Sequence, residues 1–222
     1  MIKNRSELLS HGFIKGRKKA LDIAEHALQQ VDPLAAVRRY VRLDGNLLQV
    51  NEDVFNLDNV NNIYAIGAGK ATYPLAVALE EILGDRISDG FIAIKKEQKS
   101  PLSGMLGTLS RIRVAESAHP VPDDTSLAAG QEIWRISEKV GQGDMVFCLM
   151  SGGVSAQSVY PVEGISFQDK VNINDLLVHS GADVTEIMTV RRHLSRICLL
   201  YTSPSPRDNQ PHLVCRLLLE KG

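Results

Sequence analysis

Apolar positions along the chain change their period several times, and each change marks an element. Ala20, Ala24, Ala27, Leu28 and Val31 recur at helical spacing, which predicts a helix over residues 16–30 with one apolar stripe. Asp32 followed by Pro33 reads as an N-cap with proline in the first turn, opening a short second helix through Tyr40. Residues 44–62 are rich in Asn and Asp and predict a loop, with at most a short strand at 47–50.

From Ile63 onward strands and helices alternate. Residues 63–66 predict a strand, followed by the turn Gly67-Ala68-Gly69-Lys70. A helix over 71–83 then places Leu75, Ala78, Leu79 and Ile82 inward, and Gly84 stops it. Residues 90–94 predict a second strand, and 95–100, with Lys, Glu and Gln, a solvated loop. Residues 111–115 predict a third strand, which runs into His119-Pro120-Val121-Pro122-Asp123. Asp124 or Thr125 is expected to cap a helix carrying Ala129, Ile133, Ile136 and Val140, ended by Gly141. The unbroken apolar run 144–150 suits a central strand of a parallel sheet. Ser151-Gly152-Gly153-Val154-Ser155 follows it, and helices are expected over 166–179 and 183–196. This order predicts an α/β fold, a three-layer α/β/α sandwich with a mostly parallel, Rossmann-like sheet.

Composition narrows the function classes. The 222 residues are 44% hydrophobic and 23% charged, with 25 basic and 26 acidic side chains and a net charge of −1. Such a balance offers no general attraction to nucleic acid or to an anionic membrane. No apolar run approaches the ~18–20 residues that span a bilayer. The N-terminus is basic but lacks the apolar core of a secretory signal. Three scattered cysteines build neither a disulfide framework nor a zinc site. A cytoplasmic protein with reduced thiols is the expectation.

In an open parallel sheet, ligands bind where strands end at their carboxyl side. Two such turns here are glycine-rich. In the first, Gly67, Ala68 and Gly69 precede Lys70, whose charge would add to the helix dipole if an anion bound there. Tyr64 departs from a Walker A loop and Thr72 from GxGxxG, so the turn reads either as a phosphate site or as a tight strand–helix turn with an incidental lysine. In the second, Ser151, Gly152, Gly153 and Ser155 suit an anion-binding nest or a plain tight turn. The prolines around His119 and Asp123 make a stiff loop whose side chains either meet a substrate or cap a helix. Glu186 and Arg191 share a predicted helix, where dipole compensation alone accounts for the basic end.

Six segments in order resemble the glycerate 2-kinase family, whose members carry a C-terminal MOFRL domain. They are IGAGKAT (66–72), AHPVPDD (118–124), LMSGGVSA (149–156), PVEGIS (161–166), LLVHSGADVTEI (176–187) and VRRHLSRI (190–197), and the opening ALDIAEHALQQVDPLAAV is similar to the family's first helices. The resemblance covers residues 16 to 197. It implies ATP- and Mg2+-dependent phosphoryl transfer to the 2-hydroxyl of D-glycerate, giving 2-phosphoglycerate, in a cleft between an α/β/α domain and a smaller C-terminal domain. By the same resemblance Lys70 is the catalytic residue. Gly67, Ala68, Gly69, Ser151, Gly152, Gly153 and Ser155 would line the phosphate and substrate region. His119, Asp123, Glu186 and Arg191 would contact substrate or metal, with no metal ligand assigned. Glycerate and ATP are the implied small-molecule partners, a homodimer is the assembly to test for, and neither nucleic acid nor membrane is implied.

Two residues depart from the family pattern. Val154 replaces a glycine, which would be costly if that position needs positive φ, and Met188 replaces an asparagine. Both are expected to lower activity without altering the reaction. Two rival readings are an NAD(P)-dependent oxidoreductase of the hydroxypyruvate reductase type and a non-catalytic binding module for a nucleotide or organic acid. LLYTSPSPRD, residues 199–208, is similar to translated sequencing-adaptor DNA. The expectation is therefore an incomplete N-terminal domain, 1–197, followed by a non-native tail, 198–222. The 222-residue polypeptide is expected to lack useful kinase activity, because half a cleft leaves the reactants open to water and mispositioned.

Overall fold

The computed structural model describes residues 2–197 and the strand Val214–Arg216. Most of the expected 198–222 tail thus lies outside the described residues. A single helical turn, α1 (Arg5–Leu8), precedes α2 (Ile14–Gln30) and α3 (Pro33–Tyr40). The Asp32 side chain accepts from the Ala35 amide at 2.9 Å, and Pro33 occupies the first turn. The stripe expected on α2 exists, but α2 buries no residue, and Leu28 and Val31 stand exposed. Helical periodicity specifies a stripe, not its cover, and no described residue buries this one.

Residues 44–62 form more structure than a loop. Strands β1 (Val41–Asp44), β2 (Leu47–Val50) and β3 (Asp53–Asn56) make an antiparallel meander. Its turns use Gly45 and Asn51 at positive φ. The Asn and Asp residues that read as loop are turn and outer-face positions, while Val41, Leu48 and Val50 face the core.

The main sheet contains β4 (Ile63–Ala68), β5 (Ile87–Lys95), β6 (Ile112–Ser117), β7 (Met145–Met150) and β8 (Val214–Arg216), all paired in parallel in the order β6-β5-β4-β7-β8. Helix α4 (Thr72–Leu83) connects β4 to β5, α5 (Lys99–Leu106) connects β5 to β6, and α6 (Asp124–Lys139) connects β6 to β7. The chain steps outward from β4 to β6 and then returns to the other side of β4. Right-handed crossovers running in opposite directions put their helices on opposite faces. Two cores result. Ile63, Ala65, Ile92, Ile94, Phe147 and Leu149 pack with α4 on one face, and α5 adds Leu102 and Leu106 there. Tyr64, Ile66, Phe91 and Ala93 pack with Ala129, Ile133 and Ile136 of α6 on the other. This is the expected α/β/α layering, with α5 replacing the back of the expected solvated loop.

After β7 come the short α7 (Val154–Gln157), α8 (Phe167–His179) and α9 (Val184–His193). Buried Lys170 of α8 donates to the Leu194 carbonyl at 3.0 Å, tying α8 to the end of α9. Arg196 stacks over Trp134 and Tyr160, with its guanidinium 5.7 and 5.2 Å from the ring centres. No described helix is long and apolar enough to cross a membrane.

Candidate active site

The reversal of strand order lies between β4 and β7, where an open α/β sheet forms its crevice. Here the two strands end closer together than side chains allow. A Cβ on Gly67 would lie 2.2 Å from the Leu149 carbonyl oxygen, and one on Gly69 would lie 2.1 Å from Ser151 Oγ. Gly69 also holds φ at +138°. Across this contact the Ser151 amide donates to the Ala68 carbonyl (3.1 Å) and the Lys70 amide to the Gly152 carbonyl (3.0 Å). The Ala71 amide donates to Ser151 Oγ (3.0 Å), which also shares a hydrogen bond with Thr72 Oγ1 (3.0 Å). The Gly69 amide donates to Ala93 and that of Thr72 to Gly69. Every amide from Gly69 to Thr72 is therefore committed to a protein oxygen. What this turn presents outward is the exposed ammonium of Lys70, which has no protein partner among the described residues.

The second glycine turn is organised differently. Gly153 takes φ +105° and leads into α7. Among the described residues, the amides of Gly152 and Gly153 and the hydroxyl of Ser155 have no protein partner. Val154 is the first residue of α7 and packs against the second core. The backbone strain expected of a β-branched residue here does not arise, because the positive φ falls on Gly153.

His119 lies against this turn. A Cβ on Gly153 would meet its Cδ2 at 2.8 Å and its Nε2 at 3.1 Å. Burial holds the imidazole below its ordinary value of 6.5, and the charges of Lys70 and Lys95 push it lower still. A cavity of about 350 Å3 opens beside it, lined by Lys95, Lys96, Glu97, Ala118, His119, Pro120 and Val121. The ends of β4, β5, β6 and β7 thus contribute Lys70, Lys95, His119 and the Gly152–Gly153 turn to one neighbourhood. Lys95 was hidden in the expected solvated loop. Its position at the carboxyl end of a parallel strand is the signal that exposes it.

Asp123, rather than Asp124 or Thr125, is the N-cap of α6. Its carboxylate accepts from the amides of Thr125 (2.9 Å) and Ser126 (3.4 Å). Lys96 Nζ lies 2.5 Å from the other oxygen, and that hydrogen bond leads in holding the carboxyl down to about 2. Gln157 was also missed by sequence patterning. It is fully buried, neither its side-chain nitrogen nor its oxygen has a hydrogen-bond partner among the described residues, and its Nε2 lies 3.4 Å from the point a Gly153 Cβ would occupy.

Glu186 belongs to a different construction. Its carboxylate accepts from the Asp183 amide at 3.0 Å and closes a capping box on α9. Arg191 lies in the last turn of that helix, and Met188 is half-buried between them. No contact among the described residues joins Glu186 to the crevice. Nor do three His, Cys, Asp or Glu side chains gather anywhere among the described residues to hold a metal ion.

A domain family described as "Domain of unknown function (DUF4147)" matches residues 19–198. The glycerate 2-kinase of Pyrococcus horikoshii is 36% identical over 181 residues, which are 82% of this chain and 39% of that protein. The crystal structure of a glycerate kinase from Thermotoga maritima superposes with a TM-score of 0.64 at 27% identity, covering 81% of this chain and 39% of the other. A protein of Agrobacterium vitis whose name carries "hydroxypyruvate reductase" is 39% identical over 132 residues, 60% of this chain and 32% of its own. The chain therefore spans about two fifths of the length of the glycerate kinases it matches.

Proposed function

The chain belongs to the DUF4147 family, and on that premise we propose that it supplies the phosphate- and substrate-binding half of a glycerate 2-kinase. The proposed reaction moves the γ-phosphoryl group of ATP to the 2-hydroxyl of D-glycerate and yields 2-phosphoglycerate. One observation carries the reading: a lysine and a turn whose ammonium and amides have no partner among the described residues meet at the strand-order reversal. Phosphoryl transfer asks for positioning and positive charge more than for covalent chemistry. In this reading Lys70 supplies charge to the transferring group, and Gly152, Gly153 and Ser155 supply neutral donors. Ser151, bonded to Ala71 and Thr72, holds the two turns in register. The described residues fit a phosphate, but they build no protein cage for Mg2+, so no step is assigned to that ion.

The name of the Agrobacterium vitis relative supports a second reading, a nicotinamide-dependent reductase. A dinucleotide would rest its pyrophosphate on the first amides of α4. The amides leading into that helix, those of Ala71 and Lys70, are engaged by Ser151 Oγ and the Gly152 carbonyl, and that of Thr72 by Gly69, which favours the kinase.

The deciding assay compares the 222-residue chain with a fusion carrying the remainder of the Pyrococcus horikoshii relative after Ile197. D-Glycerate-dependent ADP release is expected from the fusion and only background from the chain alone. Lys70→Ala is expected to lower turnover of the fusion about 100-fold or more. NADH oxidation with hydroxypyruvate, without ADP release from glycerate, would replace the kinase reading with the reductase.

A further inference from the structure

The turn after β5 divides its charge unequally. Lys96 is matched by the Asp123 carboxylate 2.5 Å away. The ammonium group of Lys95, its neighbour, has no ion pair or hydrogen bond among the described residues, and the same holds for that of Lys70. Lys95 lines the cavity with His119. Lys70 Cε lies 3.8 Å from the point a Gly152 Cβ would occupy, in the turn whose Gly153 the His119 ring abuts. Two charges of one sign, unmatched among the described residues, thus share a neighbourhood. Glu97, the carboxylate lining the adjoining cavity, pairs with neither. Like charges held near one another repel, and an anion between them reverses the sign of that interaction. The imidazole, partly desolvated, adds a neutral hydrogen-bonding group rather than a third cation. Beside Gly153, which the His119 ring also abuts, Gln157 keeps a buried side-chain amide without a partner among the described residues.

We propose that Lys95 and Lys70 form a two-point clamp for an oxyanion, seated over His119 at the mouth of the cavity. The oxyanion is the carboxylate of a small hydroxy acid or a phosphate group. Only the identity of that anion rests on the phosphoryl-transfer reading, because the clamp requires neither ATP nor turnover.

The test titrates the 222-residue chain separately with D-glycerate and with inorganic phosphate. Calorimetry gives the affinity, and NMR follows the His119 ring, assigned by its loss in His119→Asn. The expected result is saturable binding of at least one probe, with the His119 titration midpoint moving upward when the anion neutralises the nearby charges. Lys95→Met is expected to weaken binding about tenfold or more, and Lys96→Met less than about twofold, because Lys96 is already paired. Lys95→Arg, which keeps the charge, should stay within a few-fold of the wild type. A Lys95-dependent response to glycerate alone assigns a carboxylate clamp, to phosphate alone a phosphate clamp, and to both a shared one. Equal losses in Lys95→Met and Lys96→Met, or no binding of either probe, overturn the clamp. Lys95-dependent binding without ADP release from the fusion would sink the kinase reading and leave the clamp standing.

Discussion

The two glycine turns look alike in sequence and differ in what they leave available. At Gly67–Thr72 glycine permits contact between two strand ends, and the amides that follow are closed off by Ser151 and Gly152. At Gly152–Gly153 glycine permits a change of direction, and the amides remain open among the described residues. A glycine-rich turn before a helix therefore does not by itself offer an anion site. Whether it does depends on what its partner strand brings, and here one turn is the brace and the other the open face.

The sharpest way to break this contrast is to add a methyl group to each turn. Gly69→Ala would drive its Cβ to 2.1 Å from Ser151 Oγ and 2.6 Å from the Ser151 carbonyl oxygen. It is expected to destabilise the chain by about 3–5 kcal/mol in chemical denaturation. Gly152→Ala meets only Lys70 Cε, at 3.8 Å, and should change stability by less than about 1 kcal/mol. Equal losses would mean that the turns are not divided as described. Next in size is Ser151→Ala. It removes the acceptor of the Ala71 amide and the partner of Thr72 Oγ1, and about 1–3 kcal/mol should be lost. Retention of wild-type stability would show that the hydroxyl is not the brace.

The smallest effect concerns the loop beside the open turn. Asp123 has its carboxyl at about 2 in the folded chain against an ordinary 3.8. Its stabilising contribution is complete well above pH 4 and drains away as the pH falls toward 2. Half-exposure of the Lys96–Asp123 pair limits the effect to under about 1 kcal/mol. The difference in stability between wild type and Asp123→Asn should therefore shrink between pH 5 and pH 2, as followed by urea midpoints across that range. A constant difference would leave Asp123 as a neutral cap.

What was legible in the sequence was local. Asp32 with Pro33, the inner face of α4 at Leu75, Ala78 and Leu79, and the Ala129–Ile133–Ile136 stripe are fixed by spacing within a few residues. The alternation of elements was enough to predict the layers. Of the meander only β2 was legible, as the short strand at 47–50, because β1 and β3 are four residues long and half polar. Helix α5 was hidden because Lys99, Ser103 and Gly104 dilute the Leu102–Leu106 pair that anchors it. At the site, the glycine turns and His119 announced themselves. Lys95 did not, since its setting is made by strand pairing, and neither did the engagement of the Ala71 amide by a hydroxyl 80 residues away.

That separation has a consequence for synthesis. A ribosome delivers β4, α4, β5 and β6 before Ser151 exists, so the Lys70 and Ala71 amides that lead into α4 must stay hydrated until Ser151 and Gly152 arrive behind β7 to take them over. Closing so long a loop is an entropic task that local helix formation cannot begin to reward. The crevice is thus a late product of folding, built only once the chain has doubled back past its own first parallel strand.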